Sequence, residues 1–170
     1  MRRVALPRAV PLVLALFAVV VGTDQAVKWL AWRHLDSALI NEGGFIALRP
    51  GVRAWFAQPT VGAMADALGA FLVALGLVWL LRRPRPLMVL IGAALIAAGW
   101  TSNLLDRFGL HAWSAPGSVR GVVDFIPSGG VSKSNVADCW IAIGAVLLCV
   151  AAARRLARRS AEKTTPPATR

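Results

Sequence analysis

Residues 61–105 read VGAMADALGAFLVALGLVWLLRRPRPLMVLIGAALIAAGWTSNLL, and this stretch decides the fold. Two apolar blocks lie on either side of the short basic segment RRPRP, and each is long enough to cross a bilayer as a helix. Because the connection is so short, the two helices must be antiparallel neighbours. The stretch therefore predicts a transmembrane helical hairpin rather than part of a soluble domain.

Two further apolar blocks extend the pattern to four. We predict transmembrane helices at about residues 9–32, 61–81, 87–105 and 136–153, each near the length needed to span the hydrocarbon core. The predicted fold class is an all-α membrane protein, a four-transmembrane-helix bundle in a single domain over residues 1–156. Loops 33–60 and 106–135 connect the helices on one side, and the polar tail at 157–170 is expected to be disordered. A cleavable signal peptide at the N-terminus is the alternative to a retained first span.

The charge distribution predicts the orientation in the membrane. The 170 residues carry a formal charge of +11, from 19 Lys and Arg against 8 Asp and Glu. On a soluble protein this excess would suggest nucleic acid, but here the arginines flank apolar blocks, so we expect no nucleic-acid partner. The clusters lie at positions 2, 3 and 8, at 82, 83 and 85, and at 154, 155, 158 and 159. All three would share one side, so both termini are predicted to be cytoplasmic.

Metal and cofactor sites are not indicated. Cys139 and Cys149 are ten positions apart in one apolar block, about 15 Å along a helix, which is beyond disulfide reach. We expect both to be small core residues. No His and Cys cluster has metal-ligand spacing, and no Gly-rich phosphate loop or serine or cysteine nucleophile motif is present.

The acidic residues sort to one side of the predicted membrane. Seven of the eight lie in the outer loops or near the outer ends of spans, at positions 24, 36, 42, 66, 106, 124 and 138. Ionisable groups beside a span are costly, so a functional role is the first reading. Asp66 has the alternative of favouring the dipole in the first turn of its helix. Asp24 and Lys28 are four apart and can pair, as a structural ion pair or as a substrate contact.

Three more polar residues close the third span in the segment SNLLDR. Asn103 shares a helical face with Asp106 and with Arg107, which themselves point apart. This group would hold loops and a polar ligand group together, or it would be an ordinary solvated helix end.

Asp124 and Asp138 are the candidate catalytic pair. Asn135 and Asp138 have the spacing of an N-terminal capping box, and a helix N-terminus stabilises an ionised carboxylate at Asp138. Asp124 lies in the apolar extended segment GVVDFI, where burial would raise its pKa. Opposite environments for two carboxyl groups are the pattern of an acid–base pair that activates water. We predict that Asp124 holds the proton and Asp138 is the more readily ionised.

Four segments, in order and at fitting spacing, resemble the lipoprotein signal peptidase (signal peptidase II) family. They are TDQAVKWLA in the first span, SNLLDR at the end of the third, GVVDFI after it, and SNVADCWIAIG at the start of the fourth. The resemblance covers most of the chain apart from the tail.

The resemblance implies an intramembrane aspartyl endopeptidase of the bacterial inner membrane. Such enzymes remove the signal peptide of prolipoproteins just before the diacylglyceryl-modified cysteine, at the outer membrane face. The family's catalytic pair matches Asp124 and Asp138, and its other polar motif residues match positions of this chain that would shape the site and hold the substrate: Asp24, Lys28, Asn103, Asp106, Arg107 and Asn135. The resemblance also implies a small extracytoplasmic β-sheet built from about residues 36–60. We expect a monomer that meets its substrate and membrane lipid without a cofactor.

Two departures from the family pattern bear on substrate range. The family's Asn-x-Gly-x-x-Phe segment is matched only by Asn41, Gly43 and Phe45, one residue short, and the loop at 106–121 is long. Asn41 is nevertheless counted among the residues that would shape the site and hold the substrate. A noncatalytic or narrowed-substrate paralogue is therefore one alternative. A proton-coupled membrane carrier is another, although a carrier would distribute its acids through the membrane depth.

Overall fold

The computed structural model describes residues 3–4, 6–42, 51, 54–55, 58–127 and 133–164. Four long helices form the bundle: α1 (Leu6–His34), α2 (Pro59–Leu81), α3 (Leu87–Leu105) and α5 (Val136–Thr164). A π-helical turn (Asp106–Leu110) continues α3 into the short helix α4 (His111–Ser114). All four predicted spans are confirmed as helices long and apolar enough to cross a membrane, and the chain is an integral membrane protein.

Three two-stranded antiparallel sheets join the helix ends. Strand β1 (Arg3–Val4) pairs with β3 (Arg85–Pro86), and β5 (Ile126–Pro127) pairs with β6 (Lys133–Ser134). Strand β2 (Leu39–Asn41) pairs with β4 (Val122–Asp124), with Leu39 opposite Asp124 and Asn41 opposite Val122. This third sheet lies at the C-terminal end of α3. It provides part of the predicted sheet over residues 36–60, while Gly43 and Phe45 lie outside the described residues.

Helix α3 is the centre of the bundle and contacts α1, α2 and α5. In the most apolar segment of this helix 44% of residues are buried inside the protein, against 11% in the corresponding segment of α2. Small residues allow the closest approach, to α5: a Cβ on Gly99 would lie 2.7 Å from the Ala137 carbonyl oxygen, and one on Gly144 would lie 2.5 Å from that of Gly92. The backbones of α3 and α5 are therefore in direct contact along the bundle.

Three predicted boundaries or placements need correction. Helix α5 continues through Thr164, so residues 157–164 of the predicted disordered tail are helical, because this segment is rich in the helix formers Ala, Arg, Glu and Lys. The predicted loop from 106 begins instead with helical residues up to Ser114. Cys139 and Cys149 are exposed on the bundle surface rather than buried, since an apolar side chain on a membrane helix can face lipid.

Candidate active site

A cavity of about 150 Å³ lies where the C-terminal end of α3 and the N-terminal ends of α2 and α5 meet the β2–β4 sheet. Its polar lining consists of Asn41, Asp66, Asn103, Arg107, Asp124, Asn135 and Asp138. Every one of these except Asp66 is a residue that the sequence predicted for the site. The structure therefore brings both candidate catalytic carboxyl groups to the wall of one cavity.

Strand β4 delivers Asp124 to the cavity. The carboxyl group is only 1% exposed and accepts one hydrogen bond at each oxygen, from the Asn41 amide (2.9 Å) and the Asn135 amide (2.7 Å). Burial raises the pKa of Asp124 to about 6, the two amide donors oppose that shift, and the nearby Asp138 adds to it. With this pKa the carboxyl group titrates close to neutral pH, which suits a general acid or base.

Helix α5 delivers Asp138 from its first turn. The Asp138 backbone N–H donates to Asn135 Oδ1 (3.1 Å), and the Asn135 backbone N–H donates to Asp138 Oδ2 (3.2 Å). This reciprocal pair confirms the predicted capping box. The second carboxylate oxygen, Oδ1, accepts a hydrogen bond from the Asn103 amide at 3.1 Å. Capping thus fixes the position of Asp138 and leaves its carboxyl group on the cavity wall.

A buried ion network lies beside the two carboxyl groups and joins three helices. Lys28 Nζ is 2.6 Å from Asp24 and 2.7 Å from Asp106, and all three side chains are fully buried. Lys28 also donates to Asn103 Oδ1 at 2.9 Å. Asp24 accepts the backbone N–H of Ala137 at 2.8 Å, immediately before Asp138. The predicted Asp24–Lys28 pair is confirmed, and its contacts indicate a role in positioning α3 and α5.

Arg107 and Asp106 point to opposite sides, as the sequence predicted. The π-helical turn that contains both residues also contains Gly109 at a φ of 118°, a left-handed conformation that favours glycine. From this turn Arg107 donates to the backbone carbonyl oxygens of Glu42 (2.9 Å) and Asn41 (3.1 Å). Arg107 therefore ties the end of strand β2 to the end of α3.

The structure adds residues that the sequence reasoning missed. Gln25 donates to Ser102 and to Asp106, and Ser102 donates to Asp24, so both belong to the buried network. The position of Gln25, directly after Asp24, was the available signal. For Asp66 the predicted helix-dipole role is wrong, because no acid lies in the first turn of α2, and Asp66 instead pairs with Arg107 and Arg120.

Among the described residues, no group of three or more His, Cys, Asp or Glu side chains is placed to hold a metal ion. The cavity wall offers three carboxyl groups, three side-chain amides and one guanidinium group.

Comparison with known proteins gives a consistent result. The family model described as Signal peptidase (SPase) II matches residues 16–154. The chain is similar to proteins named lipoprotein signal peptidase from Mycobacterium leprae (34% identity; 85% of this chain, 72% of the relative), Mycolicibacterium smegmatis (35%; 83% and 60%) and Mycobacterium avium (34%; 85% and 80%). Part of each relative, largest in the M. smegmatis protein, therefore lies outside the aligned segment.

Proposed function

The chain belongs to the signal peptidase II family, and from this premise we propose that it removes the signal peptides of prolipoproteins with Asp124 and Asp138 as its catalytic pair. The bond cleaved would be the one just N-terminal to the diacylglyceryl-modified cysteine. Residues 1–156 would form the single peptidase domain.

The observation that carries the proposal is the way one asparagine joins the two acids. The Asn135 side chain donates to Asp124 through Nδ2 and accepts the backbone N–H of Asp138 through Oδ1. Both carboxyl groups border the same cavity. Two carboxyl groups at close range do not both ionise readily, so the pair would share one proton at mildly acidic pH, up to the Asp124 pKa of about 6.

This arrangement supports hydrolysis without a covalent intermediate. The ionised carboxylate takes a proton from a water molecule as the water oxygen attacks the scissile carbonyl carbon. The protonated carboxyl group gives its proton to the carbonyl oxygen, which forms a neutral tetrahedral diol. Collapse breaks the C–N bond as the protonated carboxyl group gives its proton to the amide nitrogen and the other carboxylate takes a proton from a diol hydroxyl, and the products are a carboxylic acid and an amine. The pair thereby returns to its starting state with one shared proton.

The surrounding residues would hold this geometry. Asn41 and Asn135 orient the two oxygens of Asp124, while Asn103 orients Asp138. Lys28 fixes Asn103 in turn, and Arg107 anchors the strand that carries Asn41. Such support is what fixes reacting groups within the narrow tolerance that catalysis requires.

The position of the site fits a lipid-modified substrate. An apolar groove of about 540 Å³ runs between α2 and α3 and shares Ala65, Gly69 and Trp100 with the cavity. A substrate held in the bilayer would reach the carboxyl groups laterally, from membrane lipid.

We propose that a monomer suffices, that both termini are cytoplasmic, and that the site lies at the outer face of the bacterial inner membrane, as the arginine distribution favours.

The decisive experiment is cleavage of a diacylglyceryl-modified prolipoprotein by purified protein in detergent or vesicles. The wild type should release the signal peptide. Asp124→Asn and Asp138→Asn should each lower the rate by about 100-fold or more, the range of general acid–base catalysis. Asp36→Asn, which removes an exposed outer carboxylate, is the matched control and should leave the rate unchanged.

Two results would contradict the proposal. Normal cleavage by either catalytic variant would exclude the paired mechanism. Failure of the folded wild type on several modified prolipoproteins would favour a noncatalytic relative, whereas cleavage of only some would indicate a narrowed substrate range.

A further inference from the structure

Asp66 is the one charged residue in α2, and its setting calls for an explanation. The rest of the helix carries no charge, and it is the least buried of the four spans, with 11% of the residues in its most apolar segment buried. Asp66 is nevertheless buried, with 8% exposure, and lies in the second turn, beyond the reach of a capping role. A buried carboxylate on a lipid-exposed helix is costly unless its partners compensate.

Two arginines from other elements provide that compensation. Arg120, in the segment before β4, forms an ion pair with Asp66 Oδ2 and donates through Nε to the Arg107 carbonyl oxygen at 2.9 Å. Arg107 Nε lies 3.7 Å from Asp66 Oδ1. One carboxylate of α2 thus joins the end of α3 to the chain that leads into the β2–β4 sheet.

A chain of contacts then connects Asp66 to the candidate catalytic pair. Arg107 donates to the Asn41 carbonyl oxygen at 3.1 Å, and the Asn41 amide donates to Asp124 at 2.9 Å. Arg120 is four positions before Asp124 on the same segment. Asp66 therefore constrains both strands of the sheet that presents Asp124, although no hydrogen bond or ion pair given for the described residues joins it to either candidate catalytic carboxyl group.

We propose that Asp66 is a positioning residue for the peptidase reaction, acting through Arg107 and Asn41 on the orientation of Asp124. This inference rests on the proposed function of the Asp124–Asp138 pair. It assigns to α2, which otherwise contributes small residues to the cavity wall, a part in holding the reacting groups.

A double-mutant cycle between Asp66 and Asn41 tests the proposal. Asp66→Asn keeps the shape of the side chain and removes its charge, and we expect kcat to fall about tenfold with KM changed less than threefold, because misplacement of a reacting group lowers the chemical step. In an Asn41→Ala background the same change should lower kcat less than twofold, since the path to Asp124 is already broken. A merely structural role would give the same factor in both backgrounds.

Controls separate this result from general damage. Asp36→Asn should leave kcat unchanged in both backgrounds, and Asp66→Glu, which keeps the charge, should restore activity relative to Asp66→Asn. If Asp66→Asn does not fold, Arg120→Gln replaces it in the cycle, because Arg120 is more exposed and its loss removes one ion pair of Asp66 together with the hydrogen bond to the Arg107 carbonyl oxygen. The proposal would be overturned if Asp66→Asn had the kcat of the wild type. It would also be overturned if the substitution used in the cycle lowered kcat by the same factor with and without Asn41→Ala.

Amide hydrogen exchange distinguishes failure of this inference from failure of the proposed function. Exchange at residues 122–124 should quicken in Asp66→Asn and not in Asp36→Asn, whether or not the protein cleaves prolipoprotein. Unchanged exchange there would refute the link from Asp66 to β4, while cleavage by the wild type would still support the peptidase assignment.

Discussion

At the scale of single residues, Asn135 shows how one side chain serves structure and chemistry together. Its carbonyl oxygen caps α5, and its amide group donates to Asp124 and to Asn103 Oδ1. An asparagine has both an acceptor and two donor hydrogens, which a serine or aspartate cap does not offer. The capping interpretation and the catalytic interpretation of Asp138 are therefore compatible, because the cap holds the Asp138 carboxyl group beside the cavity that Asp124 also lines.

The pKa of Asp124 predicts the pH dependence of cleavage. Burial raises this pKa from 3.8 to about 6, so the native state holds the proton where an unfolded chain would release it. If Asp124 is the proton donor, kcat/KM should fall as pH rises through about 6, since both carboxyl groups are then ionised. A rate profile of the free enzyme between pH 4.5 and 8.5 measures this, and a profile flat to pH 8 would contradict it.

Asn41→Leu is the matched variant for that profile. The Asn41 amide donor favours the ionised form of Asp124, and leucine removes that donor while keeping a branched side chain with the same number of heavy atoms. The midpoint of the alkaline limb should therefore move to higher pH in the variant. Asp138 and Lys28 also act on Asp124 and are unchanged by the substitution. A midpoint that moves to lower pH would show that Asp124 is not the group being followed.

Lys28→Met should destabilise the protein strongly. The ammonium group is fully buried between Asp24 and Asp106, and its removal leaves two carboxylates without their shared cation. Breaking a buried ion pair in this way costs about 3–5 kcal/mol. Unfolding in a mixed-detergent titration measures the loss. Lys133→Met, which removes a surface contact to the Ser37 carbonyl, should change stability by less than about 1 kcal/mol.

At the scale of elements, the contact between α3 and α5 sets the distance between Asn103 and Asp138. Gly99→Ala would place a methyl group 2.7 Å from the Ala137 carbonyl oxygen and 2.8 Å from Ile141, at the first turn of α5. The two helices must separate there, so we expect a loss of about 1–3 kcal/mol together with reduced cleavage. Gly76→Ala on α2, where a new Cβ meets nothing within 4 Å, should be neutral or slightly stabilising. Equal effects of the two substitutions would contradict this account of the packing.

Helices, and contacts within one helix, could be predicted from the sequence. Contacts between residues far apart along the chain could be predicted less well. The four spans followed from apolar length, and the α5 cap and the Asp24–Lys28 pair followed from spacing within one helix. The contacts of Asp66 did not, because Arg107 and Arg120 are 41 and 54 positions away along the chain. Nor did the π-helical turn at Asp106–Leu110, since the bend appears only where Gly109 adopts a positive φ.

At the scale of the whole molecule, the distribution of charge between the two ends of the bundle fits the proposed reaction. The site gathers acids and amides at one end of the bundle, while the connection between α2 and α3 at the other end is basic, with Arg85 stacked on Trp79 at 3.7 Å. The acids that define the site would thus face the outer medium, and the arginines would stay on the cytoplasmic side. A prolipoprotein whose cleavage region has crossed the membrane would meet the carboxyl groups directly.

Single cysteines test this orientation in intact cells. In a Cys139→Ala, Cys149→Ala background, Ser37→Cys lies in an exposed turn beside β2, whereas Arg83→Cys lies in the exposed turn between α2 and α3. A membrane-impermeant maleimide should label position 37 in intact spheroplasts, and should label position 83 only after the membrane is permeabilised. The labelling of both sites in lysed cells controls for reactivity. The reverse pattern would place the Asp124–Asp138 cavity on the cytoplasmic side, where no translocated signal peptide could reach it, and would refute the proposed topology.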